Sequence, residues 1–485
     1  MATRLRAFEL EIFDHTSGRG GKAEGFSVRV ARSPVGDLAP PEKARIGPEV
    51  RTKLRELARG TLDRDGLVGL GEALGDLLFP PTARDYFFRS RERLSAGESL
   101  RVQLRFDSLA LSAIPWEYTY LLRPGTDPTQ RPLDGFLALD GQTSIVRGVN
   151  GTAPPDFDPI VGRPLKLVAL FSDPATAEYP RLNLDDEQAK MQEGLAGVAN
   201  VAATFRSDAT PTTLQDVLVG GADIFHFSGH GGFEGELGAT RGSQVGKGSI
   251  IMLDDTGQPR PLSAEDLALN LSNKGVRLAL LGACESGMAD GVNPWSGLAA
   301  ALVRAGIPAV VAMQFKVLDV DVIAFSRAFY KSLAGGQAVD AAVIAGRLAM
   351  YNESGVESRD WGVPVLYLGG EQGVLFPAGG GQSAGNGTHV VTQPVSTNSS
   401  SVNQTALRNA IVSAYTLDQL DVLCADIEQA IKDAGEAHPI KVSLDMVGGA
   451  TLPGKVQNLI QYLDGYGYLG YLVRGVRADR PNLSF

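Results

Sequence analysis

Two residues in this chain pair a nucleophile with a base in settings that could use them. His230 follows the apolar run of Asp223-Ile-Phe-His-Phe-Ser-Gly-His230-Gly-Gly, and Cys284 follows that of Val276-Arg-Leu-Ala-Leu-Leu-Gly-Ala-Cys284-Glu-Ser-Gly. A thiol is a useful nucleophile only as its thiolate, and a neighbouring imidazole can take the proton, so the two form a candidate catalytic dyad. Gly231 and Gly232 let the backbone approach a substrate closely, and the N–H of Gly231 with that of Cys284 forms a candidate oxyanion hole. Either residue alone would read as structural, a small buried thiol or a hydrogen-bonded loop imidazole.

The elements that must position them follow from the surrounding pattern. Short apolar runs bounded by glycines suit strands of a parallel sheet covered on both faces, and open α/β sheets place their sites in the loops at the carboxyl ends of such strands. The alternation predicts strands at Leu165 to Phe171, Val201 to Phe205, the run before His230, Ile250 to Leu253, the run before Cys284, Ala309 to Met313 and Pro364 to Leu368. Helices are predicted near Glu187 to Val198, near Leu214, and at Ala264 to Leu271, Ser296 to Ala305, Asp319 to Leu333 and Val339 to Tyr351. Strands alternating with helices require crossovers, hence an α/β fold with a mainly parallel sheet flanked by helices.

The pattern His-Phe-Ser-Gly-His-Gly-Gly followed by Leu-Leu-Gly-Ala-Cys-Glu-Ser-Gly closely resembles the CHAT family of caspase-like cysteine peptidases. The resemblance runs from about Leu165 to Gly370 and takes in Ser249-Ile-Ile-Met-Leu-Asp-Asp, Pro261-Leu-Ser-Ala-Glu-Asp-Leu-Ala and Phe325-Ser-Arg-Ala-Phe-Tyr-Lys-Ser-Leu. It implies a caspase-like core, His230 as general base, Cys284 as nucleophile, no third triad member, and peptide-bond hydrolysis in a protein substrate without a cofactor. It also implies a bacterial defence or programmed-death setting. Caspases carry Gln-Ala-Cys, the Gln helping to hold an acidic substrate side chain; here the matching residues are Gly282-Ala283-Cys284. Asp173, where caspases place a substrate-binding Arg, and Asp319 and Asp321, after a later strand, are candidates to hold a basic side chain instead, so cleavage after Arg or Lys is expected.

Upstream, alternation predicts strands at Arg4 to Phe13, Phe26 to Val30, Leu100 to Phe106, Phe136 to Leu139 and Thr143 to Val146, with helices at Val50 to Leu57 and Leu67 to Leu78. With Ile114-Pro-Trp-Glu-Tyr this α+β region resembles the extension that often precedes the CHAT peptidase. Residues 378–404 are rich in Gly, Ser, Thr, Asn and Gln and read as a flexible linker. Beyond them Leu420, Leu423, Cys424, Ile427 and Ile431, then Val456, Leu459, Ile460 and Leu463, then Leu469, Leu472, Val473 and Val476 keep helical spacing, which implies a small all-α bundle. Gly448 to Leu463 resembles bacterial effector-associated, death-like adaptor domains, which implies a partner protein carrying a similar domain. The expected organisation is an extension at 1–155, a peptidase at 156–377, the linker, and an adaptor at 405–485.

Composition narrows the function classes. The 485 residues carry 45 Lys+Arg against 55 Asp+Glu, a net charge of −10 that gives no general support for nucleic-acid binding. The start lacks the apolar run of a signal peptide and the most apolar stretch, Leu298 to Phe315, carries Arg304 and Pro308, so no membrane span is expected. Two cysteines make no disulfide framework and fit the cytoplasm. His226 and His230 share an i, i+4 spacing on a strand-to-turn segment, with no ligand set for a metal, and His226 reads as a buried structural residue. The Gly229 segment has Glu234 where a dinucleotide fingerprint needs glycine, and Gly449 to Lys455 has Walker spacing but Val456 in place of Ser or Thr. The alternative to a peptidase is a non-catalytic caspase-like scaffold that assembles partners.

Overall fold

A computed structural model describes the chain apart from residues 1–3, 18–23, 128–131, 150–159, 161, 180, 235–246, 273, 284–293, 316, 356–357, 371–372, 377–403, 434–441, 445–451, 453–454, 457–458, 461–462, 464–467 and 481–485. The first part contributes β1 (Arg4–Thr16), β2 (Glu24–Arg32), β3 (Glu42–Ile46), α1 (Pro48–Arg59), α2 (Arg64–Leu78), α3 (Pro81–Glu92), β4 (Glu98–Phe106), the short α4 (Leu109–Ser112) and β5 (Thr143–Gly148). The regular alternation follows: β6 (Leu165–Ser172), α5 (Leu184–Leu195), β7 (Val201–Arg206), α6 (Pro211–Leu218), β8 (Ile224–Gly229), β9 (Gly231–Glu234), β10 (Lys247–Leu253), β11 (Pro259–Ser263), α7 (Ala264–Ser272), β12 (Leu278–Ala283), α8 (Pro294–Arg304), β13 (Ala309–Met313), α9 (Asp319–Ala334), α10 (Val339–Ser354) and β14 (Pro364–Leu368).

Eleven of these strands form one sheet in the order β3-β2-β1-β4-β5-β14-β13-β12-β8-β6-β7. It is mainly parallel; β1 with β2, β2 with β3 and β13 with β14 pair antiparallel. Its buried strands explain the apolar runs. In β6, Leu167, Ala169 and Phe171 join the core that holds Met191 of α5 and Phe325 and Phe329 of α9. Val168 and Leu170, one residue out of phase, join Leu214 of α6 and Leu298 and Leu302 of α8 on the other face. A strand covered on both faces is apolar along its buried run, here Leu167 to Phe171, which is why no alternation marks it. Helix starts carry their own signals: Asp63 accepts from the Gly66 N–H at 2.8 Å to open α2, and Thr210, followed by Pro211, accepts from the Thr213 N–H at 3.0 Å to open α6.

The structure departs from the sequence expectations at two of the predicted strands. Phe136 to Leu139 is not a strand: Phe136 makes one isolated bridge with Tyr120, and its ring packs 5.0 Å from that of Tyr120 and 4.8 Å from that of Trp361, so its apolar character serves a core. The strand at 250–253 belongs to β10, the centre of a separate three-stranded antiparallel sheet with β9 and β11. The first five strands continue the same sheet, since β5 pairs with β14 through Arg147 and Tyr367 and through Gly148 and Leu368, and residues 1–382 form one compact unit. Strand β3 and helix α3 were not anticipated.

A buried ionic cluster lies at that junction. Arg147, one residue from the end of β5, donates to Glu117 from Nε at 3.2 Å and Nη2 at 2.7 Å, and to the Ile114 carbonyl at 3.0 Å. Gln314, just past β13, donates to the same carboxylate at 3.1 Å. The Glu of the Ile114-Pro-Trp-Glu-Tyr turn is thus a fully buried counter-ion.

The second compact unit, residues 383–485, contains α11 (Gln404–Ala414), α12 (Leu417–Asp433) and α13 (Leu469–Asp479). Leu407, Ile411, Leu420, Ile427, Val456 and Leu472 share its core. Cys424 is buried among them, and burial pushes its thiol up to about 12, which makes it inert at neutral pH. Among the described residues no helix is long and apolar enough to cross a membrane.

Candidate active site

The chain runs from β6 outward to β7 and then returns to β8 on the other side of β6. Such a reversal of strand order opens a crevice at the carboxyl ends of the strands, the usual ligand position in an open α/β sheet. Three strand ends are level there, because Gly229 of β8 is the register partner of Ser172 in β6 and of Ala283 in β12. A Cβ on Gly229 would stand 2.8 Å from the Ser172 carbonyl, so glycine is what lets the two backbones close at this edge.

His230 emerges from β8 at this point. It is 0% exposed, and the ring of Tyr179, on the loop between β6 and α5, lies 5.3 Å from the imidazole. The His230 carbonyl accepts from the Ile251 N–H at 2.9 Å, which makes Gly231 and Ile250 a non-hydrogen-bonded pair of the β9–β10 ladder and turns the Gly231 N–H away from β10. Cys284 comes directly after Ala283 and lies outside the described residues.

Two polar residues at this edge were not picked out from the sequence. The Ser228 hydroxyl, fully buried, donates to the Glu187 carboxylate from the first turn of α5. Bonds of this kind to a charged acceptor contribute roughly 1.5–3 kcal/mol. A Cβ on Gly282 would meet the Ser228 Oγ at 2.9 Å and the Glu187 Oε1 at 3.5 Å, so this carboxylate stands at the boundary of β8 and β12. Ser228 was within the quoted motif, whereas Glu187 carried only the signal of an acid near a helix start.

The three acids expected to face substrate differ in placement. Asp173, just past β6, accepts from the Leu182 N–H at 3.2 Å and lies 3.8 Å from Arg181, ties that hold the β6–α5 loop carrying Tyr179. Asp319 is the first residue of α9. Asp321 departs from the expectation: it is 0% exposed, so it has no surface to offer a substrate, and its carboxylate accepts from the Ser354 hydroxyl at 2.8 Å. Burial, reinforced by Asp360, pushes it up to about 7. His226 has the structural place expected for it, with Nδ1 3.3 Å from the Tyr330 hydroxyl and the ring against Phe171; burial lowers it to about 3, so it is neutral at pH 7. Among the described residues no three His, Cys, Asp or Glu side chains gather to hold a metal.

Residues 68–371 match the family model described as CHAT domain, a span that begins inside α2, well before the boundary expected at 156. No curated protein matches. The chain is similar to the crystal structure of the Arg specific cysteine proteinase gingipain R, at 12% identity and a TM-score of 0.35 over 64% of this chain and 71% of that one. It is similar to the complex of Porphyromonas gingivalis RgpB pro- and mature domains, at 12% identity and 0.34 over 67% and 78%. It is also similar to the Saccharomyces cerevisiae separase–securin complex, at 13% identity and 0.30 over 59% of this chain and 16% of that one.

Proposed function

Because the chain belongs to the CHAT domain family, a family of caspase-like cysteine peptidases, we propose that it is a cysteine endopeptidase with Cys284 as nucleophile and His230 as base. The observation that carries this reading is the pairing of Gly229 with Ala283, which sets the strand ends preceding His230 and Cys284 side by side. In the proposed reaction the Cys284 Sγ attacks the scissile carbonyl as His230 takes its proton. The N–H groups of Gly231 and Cys284 hold the oxyanion, His230 returns the proton to the leaving amine, and water then hydrolyses the thioester with His230 again as base.

The substrate is a protein cut after Arg or Lys. The helical unit at the carboxyl terminus recruits a partner bearing a similar death-like domain, which raises the local concentration of peptidase beside its target, in the cytoplasm and in a bacterial defence or programmed-death pathway. Labelling with a peptidyl acyloxymethyl ketone followed by mass spectrometry tests the chemistry, because only a competent thiolate with an acyl pocket reacts. Modification at Cys284, lost in Cys284→Ala and weakened in His230→Ala, is expected. Failure to label Cys284, or equal labelling of Cys424, would sink the reading.

A further inference from the structure

We infer that β7 is an interface between copies of this chain, two molecules joining their β7 strands antiparallel about Ala203 to continue the sheet across a two-fold axis. The inference stands apart from the peptidase reading. The eleven-stranded sheet has two borders, and they are protected unequally. At one border β3 presents Glu42, Lys43 and Arg45 within five residues and is flanked by Pro40, Pro41 and Pro48, the charges and prolines that keep an edge from pairing. At the other, β7 reads Val201-Ala-Ala-Thr-Phe-Arg206, with no proline and no charge before its last residue, and Ala202, Ala203 and Thr204 are exposed. Among the described residues it pairs with β6 alone.

The ladder to β6 fixes which backbone groups remain. Leu165, the register partner of Val201, donates its N–H to the Asn200 carbonyl at 2.8 Å. The groups of residues 200, 202, 204 and 206 therefore face β6, and those of Val201, Ala203 and Phe205 turn outward. Three outward residues spaced by two match a reversed copy of themselves: Ala203 meets its counterpart, Val201 meets Phe205 and Phe205 meets Val201, so each outward N–H and C=O finds a partner. The side chains agree with this register. Val201 and Phe205 pack against the core that holds Phe171, whose ring stacks 6.3 Å from that of Phe205, and each would join a cross-strand pair of an aromatic with a β-branched residue. Arg206 donates to both oxygens of Asp208, at 2.8 and 2.6 Å, and comes opposite the neutral Asn200, so no like charges are opposed. This complementarity of the strand to itself favours a second copy over an unrelated partner. The joined sheet ends in a charged β3 on both sides, which stops growth at two. Since the second copy's strands run in reverse, the carboxyl ends of β6, β8 and β12 in the two molecules open on opposite edges of the joined sheet.

Sedimentation of the full-length chain over a concentration series tests this. The wild type should pass from monomer to dimer within the micromolar range. Ala203→Pro removes an outward N–H that β6 does not use, and Ala203→Lys sets two ammonium groups face to face across the axis; each should weaken association at least tenfold while the far-ultraviolet circular dichroism stays that of wild type. In a Cys284→Ala background, Ala203→Cys should form a disulfide-linked dimer on mild oxidation, because directly opposed residues of a hydrogen-bonded pair stand about 5.5 Å apart at Cα. Ala202→Cys, offset by two residues from its own copy, should not. A wild type that stays monomeric up to millimolar concentration overturns the inference. So does an unchanged dissociation constant in either Ala203 variant, or cross-linking through residue 202 as readily as through residue 203.

Discussion

Gly229 of β8 and Ala283 of β12 are register partners on adjacent parallel strands, so the strands that precede His230 and Cys284 end at the same level. Ala283 follows Gly229 by 54 positions in sequence, and the two strand ends meet although β9, β10, β11 and α7 lie between them in the chain.

If that convergence makes a dyad, its members act as one unit. Cys284→Ala and His230→Ala should each remove nearly all peptide turnover, and the double variant should be no worse than either single one. Cys424→Ala, at a buried and protonated thiol of the second unit, should retain activity. Steady-state cleavage of a basic-P1 peptide measures all four proteins, and full turnover by Cys284→Ala would refute the mechanism.

The ionic cluster at the β5–β14 junction makes a stability prediction. Removing one partner of a fully buried ion pair strands the other, at a cost of about 3–5 kcal/mol. Arg147→Met should lower the urea midpoint of residues 1–376 accordingly, because Glu117 would keep only the Gln314 amide among its side-chain partners described here. Arg147→Met with Glu117→Leu should recover most of the loss. A single variant as stable as wild type would show that the pair contributes little.

Asp321 makes a pH prediction. Its carboxyl titrates about 7 when folded against an ordinary 3.8, so the folded state holds its proton more tightly than the unfolded chain does. The stability this contributes is full below pH 4, declines as pH rises toward 7, and is gone above it. The total is on the order of 4 kcal/mol. Asp321→Asn, neutral throughout and still able to accept from Ser354, should gain on wild type steadily between pH 4 and pH 7. His226 works in the opposite sense: it is lowered to about 3, and the stability present above pH 6.5 declines as the medium is acidified below that point. Chemical denaturation at several pH values resolves the two, and parallel curves for Asp321→Asn and wild type would rule out the shifted carboxyl.

The two compact units predict separable behaviour. A protein ending at Phe376 keeps every element of the eleven-stranded sheet and should stay folded and cleave small peptides as well as the full chain does. In cells it should fail on its physiological target. Equal cleavage in cells by both lengths would remove the recruitment role.

Local pattern exposed much of this architecture and little of its lateral order. The Leu165 and Ala309 runs read as buried strands because both faces are covered, and the glycines after Ser228 and Leu281 pointed to the site. The strand at 250–253 read like the others, since an apolar run does not say which sheet it joins. Glu187 stayed hidden for a related reason: its partner Ser228 lies 41 residues away, on a strand whose neighbours are decided by packing. The acids singled out instead were chosen by their place after a strand, and Asp321 shows that such a place can face inward.

The junction of β5 with β14 has a further consequence for solubility. A fragment beginning at residue 156 would carry β14 paired with β13 but without β5, opening the edge of β14 that faces β5 around Tyr367 and Leu368 and stripping the buried ring of Trp361 of Phe136 and Tyr118. An open, apolar strand border of that kind is a template for pairing with another copy. The first 155 residues therefore act as a cap against self-association, and the fragment should precipitate or form oligomers where the chain from residue 1 stays dispersed.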